Sequence, residues 1–122
     1  MKSDLDTLAG LFAALADPTR LRIIALLARG EVCVCDIHDT LKISQPKASR
    51  HLAYLRRAGV VLAEKRGLWV HYRLSEGITG APDAVLAVVR QALRQADVVK
   101  RDAGRLERTL CCAPSDAAGK RR

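Results

Sequence analysis

The stretch ISQPKASRHLAYLRRAG, residues 43–59, limits what this chain can fold into more than any other part of it. Ser44 reads as a helix N-cap, Pro46 is tolerated in a first turn whose N–H groups lack partners anyway, and Gly59 stops the helix. Ala48, Leu52 and Leu55 fall on one face, while Gln45, Lys47, Ser49, Arg50, Tyr54 and Arg57 fall on polar faces. Residues 34–41 read as a short helix just before it. Two helices almost end to end, separated by a turn of about three or four residues, predict a helix-turn-helix.

The flanking segments extend the pattern. In SDLDTLAGLFAALA, Leu5, Leu8, Leu11, Phe12 and Leu15 recur at helical spacing, with Asp4 at the positive end of the helix dipole. DPTRLRIIALLARG opens with Asp17 as N-cap and Pro18 at the first helical position, and it ends at Gly30. After Gly59 the period changes to two: Val61, Ala63, Trp69, His71 and Arg73 alternate with their neighbours around a turn at Arg66 and Gly67, which predicts a β-hairpin. With one Trp, two Tyr and one Phe, the core must be built from Leu, Val, Ile and Ala, as in packed helices.

Beyond the hairpin, Pro82 opens what reads as one long helix to about Leu110. Val85, Val89, Ala92, Ala96, Val99, Ala103, Leu106 and Leu110 follow a heptad seam, the pattern of a helix packed along a partner helix, and Gly104 is a candidate break. A small helical domain has little else to bury so long a seam against, so a homodimer through the first and last helices is expected. The fold class is therefore mainly α with a β-hairpin, a homodimeric winged helix-turn-helix. Residues 1–110 are expected to form one DNA-binding and dimerisation domain, and 111–122 a flexible tail that carries Cys111 and Cys112.

The formal charge of +8 favours a polyanionic partner, and the order of capped helix, basic face and hairpin makes that partner double-stranded DNA. The expected DNA-binding residues are Ser44, Gln45, Lys47, Ser49, Arg50, His51 and Tyr54 on the reading helix, with Lys65, Arg66 and Arg73 in the wing. Arg and Gln can make bidentate bonds to guanine and adenine edges, and the wing cations can neutralise phosphates. One reading helix per chain and a two-fold dimer imply an inverted-repeat operator. Asp4 and Asp6 stand where a signal peptide would be basic, and no apolar run reaches a membrane span, so a cytoplasmic protein with reduced thiols and no membrane partner is expected.

ADPTRLRIIALL, EVCVCDI, ISQPKASRHLAYLRRAGVV and GLWVHYRL together resemble the ArsR/SmtB family of metal-sensing winged-helix repressors over most of residues 12–74. CVCD resembles its arsenic-responsive branch. That resemblance implies a homodimeric repressor of a metalloid-resistance operon, released from a palindromic operator when trivalent arsenic or antimony binds, with no organic cofactor. The branch's pattern ends in a third cysteine three positions after the second, where this chain has His38. Trivalent arsenic prefers three thiolates and imidazole is a poor substitute. Cys33 and Cys35 are thus implied ligands, while His38, Cys111 and Cys112 are candidates for the third.

The residues themselves admit other readings of the thiols. A dithiol oxidoreductase of thioredoxin type would want C-x-x-C at a helix start in a βαβ unit, and this chain has C-x-C without one. A closed zinc site would need four ligands, and the local stretch supplies three at most. Response to thiol oxidation, to cadmium or to lead stays open, as does a small metal carrier. Asp36, His38 and Asp39 argue for a partly exposed segment. Residues i and i+2 of a regular helix point about 200° apart, so Cys33 and Cys35 can share one ion only if Cys33 lies outside the helix or the first turn unwinds. Binding is therefore expected to reshape this turn.

Overall fold

In the computed structural model, residues 4–75 and 81–109 are described. Among them the chain forms α1 (Asp4–Leu15), α2 (Pro18–Leu27), β1 (Val32–Cys33), α3 (Val34–Leu41), α4 (Gln45–Arg57), β2 (Val61–Arg66), β3 (Trp69–Leu74), α5 (Ala81–Leu93) and α6 (Asp97–Thr109). Leu110, Cys111, Cys112 and the rest of the expected tail lie outside the described residues. The three-stranded antiparallel sheet has the order β1-β3-β2.

Local chemistry sets most of these boundaries. The Asp17 carboxylate accepts from the backbone N–H groups of Thr19 and Arg20 at 2.8 and 3.1 Å, which satisfies two donors that the start of α2 would otherwise leave open. Ser44 does the same for α4 by accepting from the Lys47 N–H at 3.2 Å. Gly59 ends the connection after α4 at φ 81°, a left-handed conformation that a side chain disfavours.

In the hairpin, Val61 pairs with Leu74 and Arg66 with Trp69, so the turn lies at Gly67 and Leu68, one residue later than the expected Arg66–Gly67. Gly67 has a positive φ and Leu68 does not, the arrangement of a type II′ turn, whose twist matches that of the flanking strands. This register sets which side chains share a face. Val61 and Ala63 share their face with Leu74 and Tyr72, whereas Trp69 and Arg73 are exposed.

The core is aliphatic. Ile23, Ile24, Leu26, Ile37, Leu52 and Leu55 are all at most 1% exposed and join helices α2, α3 and α4. Leu5 and Phe12 of α1 are exposed, although helical spacing places them with the inward residues.

The expected single helix from Pro82 to Leu110 is instead two helices, and the break is at residues 94–96, not at Gly104, which lies within α6. Gln95 and Ala96 donate to carbonyls three residues back at 3.2 and 3.1 Å, a tightened last turn that closes α5. Asp97 then begins α6 in the favourable N-terminal position. The heptad seam is thereby divided. Leu106 in its second half is buried in this chain's own core, and α6 packs on α2 and α3.

Two ion pairs tie α6 to the rest of the fold. Arg22 binds Asp102 through Nε and Nη2, both at 2.8 Å, and Arg29 meets Glu107 at 2.9 Å. One of these arginines is on α2 and the other lies just past its end, so both ties hold α6 to the α2 segment. Among the described residues no helix is long and apolar enough to cross a membrane.

Candidate nucleic-acid interface and thiol site

α3 and α4 are joined by Lys42, Ile43 and Ser44. Lys42 adopts the left-handed conformation at φ 61°, and its N–H together with that of Ile43 closes the carbonyls of His38 and Asp39 at the end of α3. The chain turns there within one left-handed residue. Ala48, Leu52 and Leu55, each 0% exposed, hold α4 against the core. Its other side presents Ser44, Gln45, Lys47 and Arg50 as exposed groups, with Ser49 half-buried. Gln45 Nε2 donates to Ser49 Oγ at 2.9 Å, so the two polar groups at the start of the helix are already oriented.

His51 and Tyr54 are held differently. Both are half-buried. Arg20 of α2 places its guanidinium 4.0 Å from the Tyr54 ring centroid, with Nη1 3.3 Å from His51 Nδ1. Burial is the first cause that holds the His51 imidazole below its ordinary pKa; Asp17 opposes this, and Arg20, Lys47 and Arg50 reinforce it. Tyr54 also packs on the apolar core.

In the wing, Lys65, Arg66 and Arg73 are exposed. Arg66 is tied to Glu31 by a 2.6 Å contact and to Glu64 at 3.3 Å, while His71 Nδ1 lies 3.4 Å from the same Glu31 carboxylate. The wing is thus anchored to the residue before β1, and Arg66 has part of its charge satisfied within the protein. Lys65 and Arg73 carry no such ion pair among the described residues. Helix, turn, helix and basic hairpin are the elements that suit a duplex backbone and its major groove.

The two local cysteines meet at the start of α3. Cys33 ends β1 opposite His71 and is the N-cap of α3, with an extended backbone at φ −72° and ψ 147°. It lies outside the helix, so its Sγ stands 3.2 Å from that of Cys35. Cys33 Sγ also accepts from the Cys35 N–H at 3.4 Å. The expected reshaping of this turn is not needed to bring the sulfurs together, because the N-cap conformation already does so. The segment is partly exposed, as expected, with Asp39 on the surface. Cys33 and Asp36 are 0% exposed, and Cys35 is half-buried against the core.

His38 is half-buried, one turn along α3. Among the described residues no group of three or more His, Cys, Asp or Glu side chains is placed to hold a metal ion, so His38 is not brought together with the two sulfurs. Cys111 and Cys112 lie outside the described residues. A straight helix from Pro82 would have extended about 40 Å at the standard rise. Instead the chain breaks at residues 94–96 between α5 and α6.

Four charged residues with structural importance make their main contacts far along the sequence. Arg20, Arg22, Asp102 and Arg105 all act across long sequence separations. The Asp17–Arg20 spacing hints at one of them, because an arginine three residues after an N-cap aspartate can fold back on it; the two lie 3.9 Å apart.

Known proteins provide an independent comparison. Residues 17–62 match the model of the family described as bacterial regulatory protein, arsR family. An arsenical resistance operon repressor of Escherichia coli is 48% identical over 98 residues, covering 70% of this chain and 84% of that one. An arsenic resistance transcriptional regulator of Pseudomonas putida is 48% identical over 83 residues, 67% of this chain and 65% of its own length. Among solved structures, HlyU from Vibrio cholerae superposes with a TM-score of 0.66 at 30% identity, over 78% of this chain and 100% of that one. A homodimeric winged helix-turn-helix DNA-binding domain from Mycobacterium bovis gives 0.64 at 30% identity, over 77% and 89%.

Proposed function

Given that this chain belongs to the arsR family of bacterial regulatory proteins, a family of DNA-binding regulators and not of enzymes, we propose that it represses a metalloid-resistance operon. It binds an inverted-repeat operator as a homodimer and leaves it when trivalent arsenic or antimony is taken up by Cys33 and Cys35. The observation that carries this reading is the 3.2 Å separation of the two sulfurs at the N-cap of α3. A soft pyramidal centre needs adjacent thiolates, and here the two sulfurs sit at the start of the first helix of the helix-turn-helix.

The chemistry balances as ligand exchange. Three thiols replace the three hydroxyls of arsenous acid, three water molecules leave, and nothing is oxidised. The third thiolate is assigned to Cys111 or Cys112, the chain's two other cysteines, because trivalent arsenic prefers three thiolates to two and an imidazole. His38 is secondary. Binding engages the Cys33 sulfur that accepts from the Cys35 N–H and draws the segment after α6 towards α3. Whatever free energy the ligand gains by changing that packing is lost from operator affinity by the same amount.

The dimer is assigned to the outer face of α1 and α5. Leu5 and Phe12 on α1 and Val88 on α5 are 76%, 52% and 67% exposed, and the two helices pack against each other. Three large apolar side chains on adjoining helices are an unusual concentration for a free surface.

The test measures arsenite-driven release from DNA, with sulfur coordination by X-ray absorption, for Cys33→Ser, Cys35→Ser, His38→Ala and the Cys111→Ser, Cys112→Ser pair. Serine at 33 keeps an N-cap acceptor, so that variant isolates loss of the sulfur. The expected result is loss of release for Cys33→Ser and Cys35→Ser, a fall from three sulfurs to two for the C-terminal pair, and little change for His38→Ala. Normal release with Cys33 and Cys35 both replaced would overturn the assignment. Parallel titrations with peroxide, cadmium and lead test a response to thiol oxidation, which the close approach of the two sulfurs also favours, and to divalent soft metals.

A further inference from the structure

Helix α6 lies outside the helix-turn-helix, yet it makes a direct polar contact with it. The last carbonyls of any helix lack intrahelical donors. At the end of α3, those of His38 and Asp39 are closed locally by the N–H groups of Lys42 and Ile43. The Thr40 carbonyl instead accepts from Arg105 Nη1 at 2.9 Å, across 65 positions of sequence.

Arg105 is itself held. Asp102, one turn earlier on α6 and 1% exposed, has an oxygen 4.0 Å from Arg105 Nη1 and receives both arms of the Arg22 fork. A planar fork bonded bidentately to a buried carboxylate has little rotational freedom. The chain from Arg22 through Asp102 to Arg105 therefore ends on the residue two positions before Lys42, whose left-handed backbone directs the chain into α4.

We propose that Arg105 is a positioning residue for DNA reading. It does not touch the duplex. It holds the end of α3, and so the angle at which α4 leaves the turn, and it makes α6 a third fixed member of the DNA-binding unit. This rests on the reading above only in requiring that the chain bind DNA. The bond is charge-assisted and only partly exposed, with 33% of the Arg105 side-chain surface open to solvent, so its loss should be felt at the reading helix.

The test uses the full chain and a duplex selected from a random pool with the parent protein. Arg105→Met keeps the apolar stem and removes every donor; Arg105→Lys keeps one charged donor. Operator dissociation constants are measured over a range of salt, with helix content recorded at the assay temperature. Arg105→Met is expected to bind about tenfold more weakly, the usual consequence of losing one charged hydrogen bond, and Arg105→Lys to recover most of that. The salt dependence should be unchanged, whereas loss of a direct phosphate contact would lower its slope by about one.

Binding by Arg105→Met within twofold of the parent overturns the proposal, and so does a salt slope reduced by one. Should Arg105→Met be unfolded at the assay temperature, Arg105→Gln, which keeps neutral donors, is judged by the same criteria. Arsenite is added to the parent complex in the same series. A parent that stays bound overturns the metalloid reading and leaves the result on Arg105 standing.

Discussion

Arg20 lies over Tyr54 with its guanidinium 4.0 Å from the ring centroid, and the same group donates to the carbonyls of Ala14 and Ala13 at 2.8 and 3.2 Å. One side chain thus closes the C-terminal end of α1 and roofs an aromatic ring of the reading helix. Arg20→Ala should cost about 2–3 kcal/mol, from lost charged hydrogen bonds and a cation–π contact. Urea unfolding would show it. Arg20→Lys should recover less than half, since an ammonium cannot reproduce the flat fork; full recovery would mean that charge alone matters.

Asp17 gives the fold a dependence on acid. Burial alone would push its carboxyl up, but the backbone N–H groups of Arg20 and Thr19 and the Arg20 charge outweigh it, so the carboxyl stays below its ordinary value. A depressed carboxyl contributes stability that is present above its unfolded value of about 3.9 and is lost as pH falls through the lower folded value. Asp17→Asn keeps the cap without the charge. The stability gap between parent and Asp17→Asn should therefore be largest at neutral pH and close on acidification. A gap that does not change with pH would contradict this origin.

His51 acts in a higher window. Its imidazole is held below the ordinary value, first by burial and then by neighbouring cations against the opposing pull of Asp17. The neutral form is favoured in the folded chain, so its contribution is present above the unfolded value of about 6.5 and declines as pH falls below it. His51→Gln should remove that part of the stability loss between neutral pH and pH 5. Bound phosphates favour the protonated ring, so operator affinity of the parent should rise over the same interval more than that of His51→Gln. Parallel pH profiles for the two proteins would show that His51 does not titrate in this range.

Arg50 is exposed on the outer side of α4, one position past Ser49, which Gln45 orients. Arg50→Ala should weaken binding to the selected duplex by about 1–3 kcal/mol if the contact is bidentate to a base, with folding unchanged. Competition against unrelated duplexes separates the two possible contacts. Loss confined to the selected sequence indicates a base, and uniform loss with a shallower salt slope indicates a phosphate.

The readable parts of the fold were those where one or two residues decide the backbone. Asp17 with Pro18, and Ser44 with Pro46, mark helix starts through the chemistry of a single turn, and Gly59 marks an end through its φ. The break at 94–96 has no such marker. No Gly or Pro interrupts Arg94–Gln95–Ala96, and Ala96 keeps the heptad spacing across the break. It follows from tertiary contacts that no local window contains, chiefly Leu106 in the core and Arg22 on Asp102. At the thiol turn the partly exposed segment is legible from Asp39 and His38, but the full burial of Asp36 is not, and β1 with two residues is too short to show a period. The reading face of α4 was legible because solvent exposure follows from helical spacing alone, but the hold of Arg20 on Tyr54 and His51 was not.

Trp69 is the chain's sole tryptophan, and it stands 46% exposed beside the hairpin turn, opposite Arg66. Every photon this protein emits on tryptophan excitation therefore originates in the wing. A titration with duplex reports optically on that hairpin alone, without a label, and a titration with arsenite in the absence of DNA reveals whether the disturbance at Cys33 travels through β1 and β3 to the wing tip.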